Sequence, residues 1–309
     1  MMEEETQKKA SFDSTLKSMD TEEFIDIHFY RPIGYRWALL FDKFGISPNV
    51  VTVAGIFIGI AAGICFYFPS LKINILGMLL LVWANMYDSA DGQLARMTGK
   101  QSALGRILDG LCGDLWFITI YLAIAFRLYP SWGLWIWALV FVSGYFHGKQ
   151  AAMADYYRNA HLLFLKGKSG SELSYSVHLK ENFKKTSWRK DFIFKMFDFF
   201  YIGYTKGQES WSPKFQWMMK IIREKYQTGL PEWFLSAFRE KSLPLMKYTN
   251  ILSFNTRVIV LFIGLFIDQA WLYFVFELTV LNIIFAYMIV KHERICLELG
   301  KQLIMENHD

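Results

Sequence analysis

Residues Asp88–Asp114 read DSADGQLARMTGKQSALGRILDGLCGD, and the reading of this stretch decides the fold. Four aspartates (Asp88, Asp91, Asp109 and Asp114) thread through a segment whose flanks are apolar enough to lie in a membrane. A carboxylate at bilayer depth is costly, by about 2.5–3.5 kcal/mol on insertion scales, and so marks a function more often than an accident. Four of them together call for positive charge. Divalent cations supply it most directly, because hard ions such as Mg²⁺ take oxygen ligands.

Working outward, the chain is 53% hydrophobic and 18% aromatic, with only 20% charged residues. That is greasy beside soluble domains, which average about 45–50% apolar on a list that also counts glycine. The apolar residues fall in long runs. Val50–Phe68 and Trp132–Ala154 are each long enough to cross a bilayer as a helix, and Ile73–Tyr87, Leu115–Leu128, Val258–Ile267 and Trp271–Val290 follow the same pattern. The expected architecture is all-α: a polytopic bundle of six transmembrane helices.

Ahead of it, Asp20 and Glu23 have the spacing of a capping box. Phe24, Ile25, Ile27, Phe29, Ile33, Trp37, Leu40 and Phe41 then recur roughly at helical spacing, which predicts an N-terminal amphipathic helix on the membrane surface, broken or kinked at Pro32. Residues 1–20 are polar and read as a disordered tail without a signal peptide. Ser47-Pro48-Asn49 opens the first span, with Ser at the N-cap and Pro in the first turn.

The charges set an expected topology. The outer loops of a six-span plan hold only Lys72, Arg127 and Asp268, whereas residues 155–249 hold 17 of the 33 Lys and Arg. The positive-inside rule then puts both termini, that long segment and the aspartates on the cytoplasmic side of an inner or equivalent membrane. The net charge of +5 reads as topology and attraction to anionic lipid, since no nucleic-acid-binding signature is present. Residues 21–154 form the motif-bearing part, and residues 250–309 carry the last two spans and the C-terminus. Residues 155–249 mix basic with aromatic residues (Phe183, Lys184, Lys185, Trp188, Arg189, Lys190) and read as an interfacial insertion of short helices, an independent soluble domain being the alternative. Cys65, Cys112 and Cys296 are too scattered for a zinc or disulfide framework.

Asp88 and Asp91 share a helix face, being three apart. Gly92 and Ala95 keep that neighbourhood small, and Arg96 can offer a phosphate its planar fork of donors. Thr98-Gly99-Lys100 reads as a turn that reverses the chain, after which Gly105 and Asp109 open a second helix facing the first. A plainer reading pairs these carboxylates with Arg96, Lys100 and Arg106 in a salt-bridge network.

The pattern D-x2-D-G-x2-A-R-x8-G-x3-D, on Asp88, Asp91, Gly92, Ala95, Arg96, Gly105 and Asp109, resembles the signature of the CDP-alcohol phosphotransferase family. Pro48, Asn49, Thr52 and Gly55 resemble the P-N-x-x-T-x-x-G opening of that family's first span. The resemblance implies a membrane enzyme of phospholipid synthesis that uses two divalent ions, Mg²⁺ or Mn²⁺, and transfers a phosphate-linked group from a CDP-linked donor to a hydroxyl with release of CMP. It makes Asp88, Asp91, Asp109 and Asp114 the metal ligands, with Asp114 also the catalytic base. Asn49, Thr52, Gly92, Ala95, Arg96 and Gly105 would line the nucleotide site. A homodimer is a further expectation by the same analogy.

In one respect this chain departs from the family. Its fourth aspartate falls five residues after Asp109 and not four, which on an ideal helix rotates it about 140° away. A π-bulge eased by Gly110 and Gly113 would return Asp114 to the site.

His147, Lys149, Arg158 and Arg257 are candidates to bind an anionic acceptor, or else charges that set topology. Glu277, inside the last span, has no evident partner in the sequence. The donor reading divides between CDP-diacylglycerol with inositol phosphate or glycerol phosphate as acceptor, which the basic residues favour, and a CDP-linked head group (inositol, ethanolamine or choline type) passed to a lipid hydroxyl such as diacylglycerol. A catalytically inactive lipid-binding scaffold and an ion transporter are the rivals from other classes.

Overall fold

The computed structural model describes residues 18–187, 191–227 and 229–306. The expected tail therefore lies largely outside the described residues, as do Trp188, Arg189 and Lys190 of the insertion. The described secondary structure is helical, in two compact units, one holding the chain through Val140 together with Phe262–Trp271, the other Phe141–Leu261 and Leu272–Asp309.

Among the described residues, five helices are long and apolar enough to cross a membrane: Pro48–Cys65, Leu71–Thr98, Leu104–Trp132, Glu232–Phe266 and Trp271–Met305. They turn large apolar residues outward, among them Phe57, Leu79, Ile118 and Phe126, which suits a lipid solvent. The expected count was six. The fourth expected span falls on a continuous helix, Trp135–Lys166, that is not among the five. Its tryptophans, with His147, Lys149 and Gln150, dilute its hydropathy although its length is ample.

In the first unit, the chain turns at Ser18–Thr21 and becomes helical only at Phe24, later than the capping-box pattern of Asp20 and Glu23 suggests. Pro32 does not break the helix. A π-helical turn at Asp26–Tyr30 runs directly into α1 (Arg31–Lys43), and its wider winding accommodates Pro32, which has no N–H to bond back into the preceding turn. α1 packs on α3 (Leu71–Thr98): Ala38 and Phe41 join Ala90 and Leu94 in one buried cluster, and Trp37 and Phe41 meet Tyr87 edge-on. A methyl at Gly34 would come within 2.8 Å of Ser89 Oγ, so the two helices touch through that glycine.

α2 (Pro48–Cys65) packs against both α3 and α4 (Ala103–Trp132). Its glycines recur every four residues, which brings helix backbones together where hydrophobicity drives nothing. Gly59 lies under the Trp116 indole, whose N–H donates to Gly55 O at 3.2 Å, and a methyl at Gly63 would meet Thr119 at 2.9 Å. Far along the sequence from the aspartates, Arg127 donates to Phe66 O at 3.2 Å and pairs with Asp268 at 2.6 Å. Two of the three expected loop charges thus hold each other.

In the second unit, α5 (Trp135–Lys166), α8 (Pro213–Lys225), α9 (Glu232–Ile251) and α12 (Asn282–Met305) surround a core of Tyr157, Phe164, Phe215, Phe234, Phe238 and Leu299. The segment expected as an insertion begins as a continuation of α5 and ends inside α9; α6 (Ser176–Lys185), α7 (Phe192–Trp211) and α8 lie between. α10 (Phe254–Phe266) completes one span. The last is built from α11 (Trp271–Phe276), a π-helical turn at Glu277–Leu281, and α12.

Candidate active site

The site is built where α2, α3 and α4 meet in the first unit. α3 ends as its sequence directs: Gly99 takes the left-handed conformation at φ 66°, where a side chain would be strained, and the chain reverses. Ser102 caps α4 by accepting the Gly105 N–H at 2.9 Å. This turn brings Asp109 of α4 back toward Asp88 and Asp91 of α3.

Asp91 is the centre. It is 4% exposed, with Asp88 and Asp109 as its electrostatic neighbours and Thr52 of α2 beside it. Thr52 Oγ1 also donates to Pro48 O at 3.1 Å, an internal bond that fixes its rotamer. Asp91 Oδ2 is buried and meets no hydrogen-bond donor among the described residues. Asp88 is half-buried beside Cys112, and Asp109 is exposed, so the trio is closed at Asp91 and open on one side. Arg96 is the nearby cation and feels Asp109 and Asp91.

A buried carboxylate oxygen without a donor is unfavourable unless a cation reaches it. Divalent ions fit this donor set: hard oxygens, concentrated negative charge and one orphaned ligand atom. Among the described residues, the group of three possible ligands whose atoms all fall within 4.8 Å is His292, Glu293 and Cys296, so the aspartates are spread wider than a single-ion clamp. The tighter group has other work. Glu293 accepts the N–H groups of Lys214 and Phe215 at 2.6 and 3.2 Å, capping α8, and His292 stacks on Tyr157 at 3.7 Å.

The bulge expected to return Asp114 to the trio is absent. α4 is α-helical throughout, without the expected π-bulge, and the regular rise of the helix leaves Asp114 on another face, exposed. The wider turns occur elsewhere, at Asp26–Tyr30 and Glu277–Leu281.

The remaining nucleotide-site candidates gather at the same place. A methyl at Gly105 would come within 2.8 Å of Asn49 Oδ1, so this glycine first of all admits Asn49 from α2. A methyl at Gly92 would lie 3.4 Å from Arg96 Nη1: the guanidinium folds back over the glycine. Ala95 is half-buried on the same helix.

The four acceptor candidates lie in the second unit, and most are already engaged there. Arg257 is buried and pairs with Glu277, donates to Gln150 Oε1 at 2.7 Å and to Leu252 O at 3.2 Å. His147 Nδ1 lies 3.0 Å from Glu277 Oε1, and Tyr273 donates to the same oxygen at 2.8 Å. Arg158 donates to Asn250 Oδ1 at 3.1 Å and Ser253 Oγ at 2.8 Å. Lys149 sits over the Tyr145 ring at 5.6 Å. Glu277 is therefore the hub of a buried network. The signal for it was present, an acid inside an apolar span, but its partners lie up to 130 residues away.

Comparison with known proteins agrees with the geometry of the first unit. The family model for CDP-alcohol phosphatidyltransferase matches residues 45–155, which contain all of α2, α3 and α4. The chain is 35% identical over 96 residues to an archaetidylinositol phosphate synthase of Pyrococcus horikoshii, covering 31% of this chain and 50% of that one. It is 31% identical over 123 residues to a bifunctional IPC transferase and DIPP synthase of Aquifex aeolicus, covering 39% and 27%. An uncharacterized Aquifex aeolicus protein is 38% identical over 69 residues, covering 22% and 34%. The chain thus spans between about a quarter and a half of the length of these curated relatives. With the signature carboxylates brought together by the elements that the family model covers, the chain carries a CDP-alcohol phosphatidyltransferase domain at residues 45–155.

Proposed function

We propose that the protein transfers a phosphatidyl group from a CDP-diacylglycerol-type donor to the hydroxyl of a polyol phosphate, with inositol phosphate favoured over glycerol phosphate, and releases CMP. The observation that carries the metal-dependent chemistry is Asp91, buried with an unsatisfied oxygen between two further signature aspartates. The choice of acceptor is supported by the similarity to a protein named archaetidylinositol phosphate synthase.

Asp88, Asp91 and Asp109 would hold two divalent ions. When bound, these would neutralise the pyrophosphate and favour in-line displacement at phosphorus. Arg96 offers its guanidinium to a donor phosphate, swinging from its resting place over Gly92. Asn49, held between Ser102 and Gly105, and Thr52 wall the nucleotide side. The acceptor oxygen bonds to the phosphorus that carries the diacylglycerol as the bond from that phosphorus to CMP breaks. The hydroxyl proton leaves on the exposed side of the trio, where Asp109 meets solvent.

The interfacial reading of the inserted segment finds support in α7. Its buried side is polar, with Lys195, Thr205 and Gln208, while Phe192, Met196, Phe199, Phe200 and Tyr204 form an exposed aromatic ridge at helical spacing. That inversion of the usual amphipathic pattern suits a helix lying against acyl chains.

The test is CMP release by the purified full chain, with Mg²⁺ or Mn²⁺, against a panel of CDP-linked donors and hydroxyl acceptors. Release with CDP-diacylglycerol and inositol phosphate is expected. Release only with a CDP-linked head group and diacylglycerol would reverse donor and acceptor, and no release with any pair would favour a scaffold.

A further inference from the structure

The second unit contains a cavity of about 370 Å³ between α9 and α12 that none of the chemistry above uses. It is lined by Lys241, Lys247, Lys291 and Arg294, with Tyr248 and Tyr287 at one end. Glu298 also lines it and pairs with Lys241 at 2.7 Å, but none of Lys247, Lys291 and Arg294 pairs with a carboxylate among the described residues. Three cations without a carboxylate partner around one cavity repel each other, and an anion there relieves the repulsion.

The surroundings say what kind of anion. α9 and α12 each belong to a helix long and apolar enough to cross a membrane. The two tyrosine rings stack edge-on at 5.0 Å, with Lys247 4.8 Å over Tyr248 and Lys291 5.8 Å over Tyr287. Beyond Tyr287 in the apolar direction, Ile283 follows one turn earlier and is 70% exposed, and Val280, three residues earlier still, is also exposed. From one end to the other the groove therefore passes from cations to aromatic rings to bare aliphatic surface, the order in which a phospholipid presents phosphate, glycerol region and acyl chains. Pro244, inside α9, lacks the N–H that would bond one turn back and lines the cavity wall.

We propose that this groove binds the phosphate of an anionic phospholipid headgroup, with the acyl chain along the Ile283 side of α12. The groove shares no residue with the carboxylate trio, and its occupancy does not depend on catalysis.

Native mass spectrometry of the full chain in mild detergent, titrated with phosphatidylglycerol, reads this directly. Replacing Lys247, Lys291 and Arg294 together by Gln is expected to weaken binding roughly one hundred-fold, at about five-fold per basic residue. The charge-keeping variant Lys247→Arg/Lys291→Arg/Arg294→Lys retains it, as does a control with Lys180, Lys184 and Lys220 replaced by Gln, which keeps the same net charge as the first variant. Phosphatidylcholine is expected to bind at least ten-fold more weakly. Equal loss in the control triple variant would reduce the effect to bulk charge and overturn the site. Displacement of the lipid by millimolar inorganic phosphate would show that the groove takes free phosphate and overturn the lipid assignment. Unchanged binding in the Gln triple variant, shown to be folded by its elution volume and thermal transition, would sink the proposal outright.

Discussion

At the scale of single residues, Asp91 and Asp114 make opposite predictions. Asp91→Asn keeps size and hydrogen-bonding shape but removes the charge that the ions would meet. CMP release is expected to fall by at least about a hundred-fold, with expression and elution profile unchanged. Asp114 stands on another face of an unbroken α4, so Asp114→Asn is expected to stay within a few-fold of the parent; a loss equal to that of Asp91→Asn would show that α4 rearranges when substrate binds. Gly105→Ala must push Asn49 aside and is expected to destabilise by about 1–3 kcal/mol, read as a lowered thermal midpoint that Asn49→Ala partly restores. The seven-position signature was legible in the sequence because it is local and depends on spacing. The fate of Asp114 was not: one added residue can be absorbed by a bulge or expressed as rotation, and spacing alone does not choose.

At the scale of elements, α2, the turn at Gly99 and the cap at Ser102 were readable from Pro, Gly and Ser in positions with a mechanical meaning. Helix α5 was harder, since its polar residues look like the end of a span when they are in fact part of a buried network. The Glu277 hub illustrates why. Tyr273 lies one turn earlier in the same span, but Arg257 and His147 come from two other helices, and no periodicity announces those pairings.

The network also makes a prediction at this scale. Arg257→Met leaves Glu277 as an uncompensated buried charge and is expected to cost about 3–5 kcal/mol. Arg257→Met with Glu277→Gln should recover much of that. If thermal unfolding in detergent shows the double variant no better than the single one, the pair is not what holds these helices.

At the scale of the whole molecule, composition and hydropathic runs made an all-helical membrane protein legible, while the exact count of spans was not. Hydropathy measures average greasiness, and a helix that carries His147, Lys149 and Gln150 scores below one with only apolar residues. The proposed orientation has its own check. A cysteine placed at Lys220, in a background without native cysteines, should react with an impermeant maleimide only after the membrane is opened from the inside, whereas one at Lys72 should react from outside in intact cells. The reverse pattern would invert the topology drawn from the positive-inside rule.

The most direct measurement of the central claim is Mn²⁺ binding to the purified full chain by electron paramagnetic resonance, with CDP present. Three signature carboxylates gathered around a buried, unsatisfied oxygen predict two bound ions per chain, lost together in Asp91→Asn and unaffected by Asp114→Asn. Binding that is absent, or that survives intact in Asp91→Asn, would contradict the account.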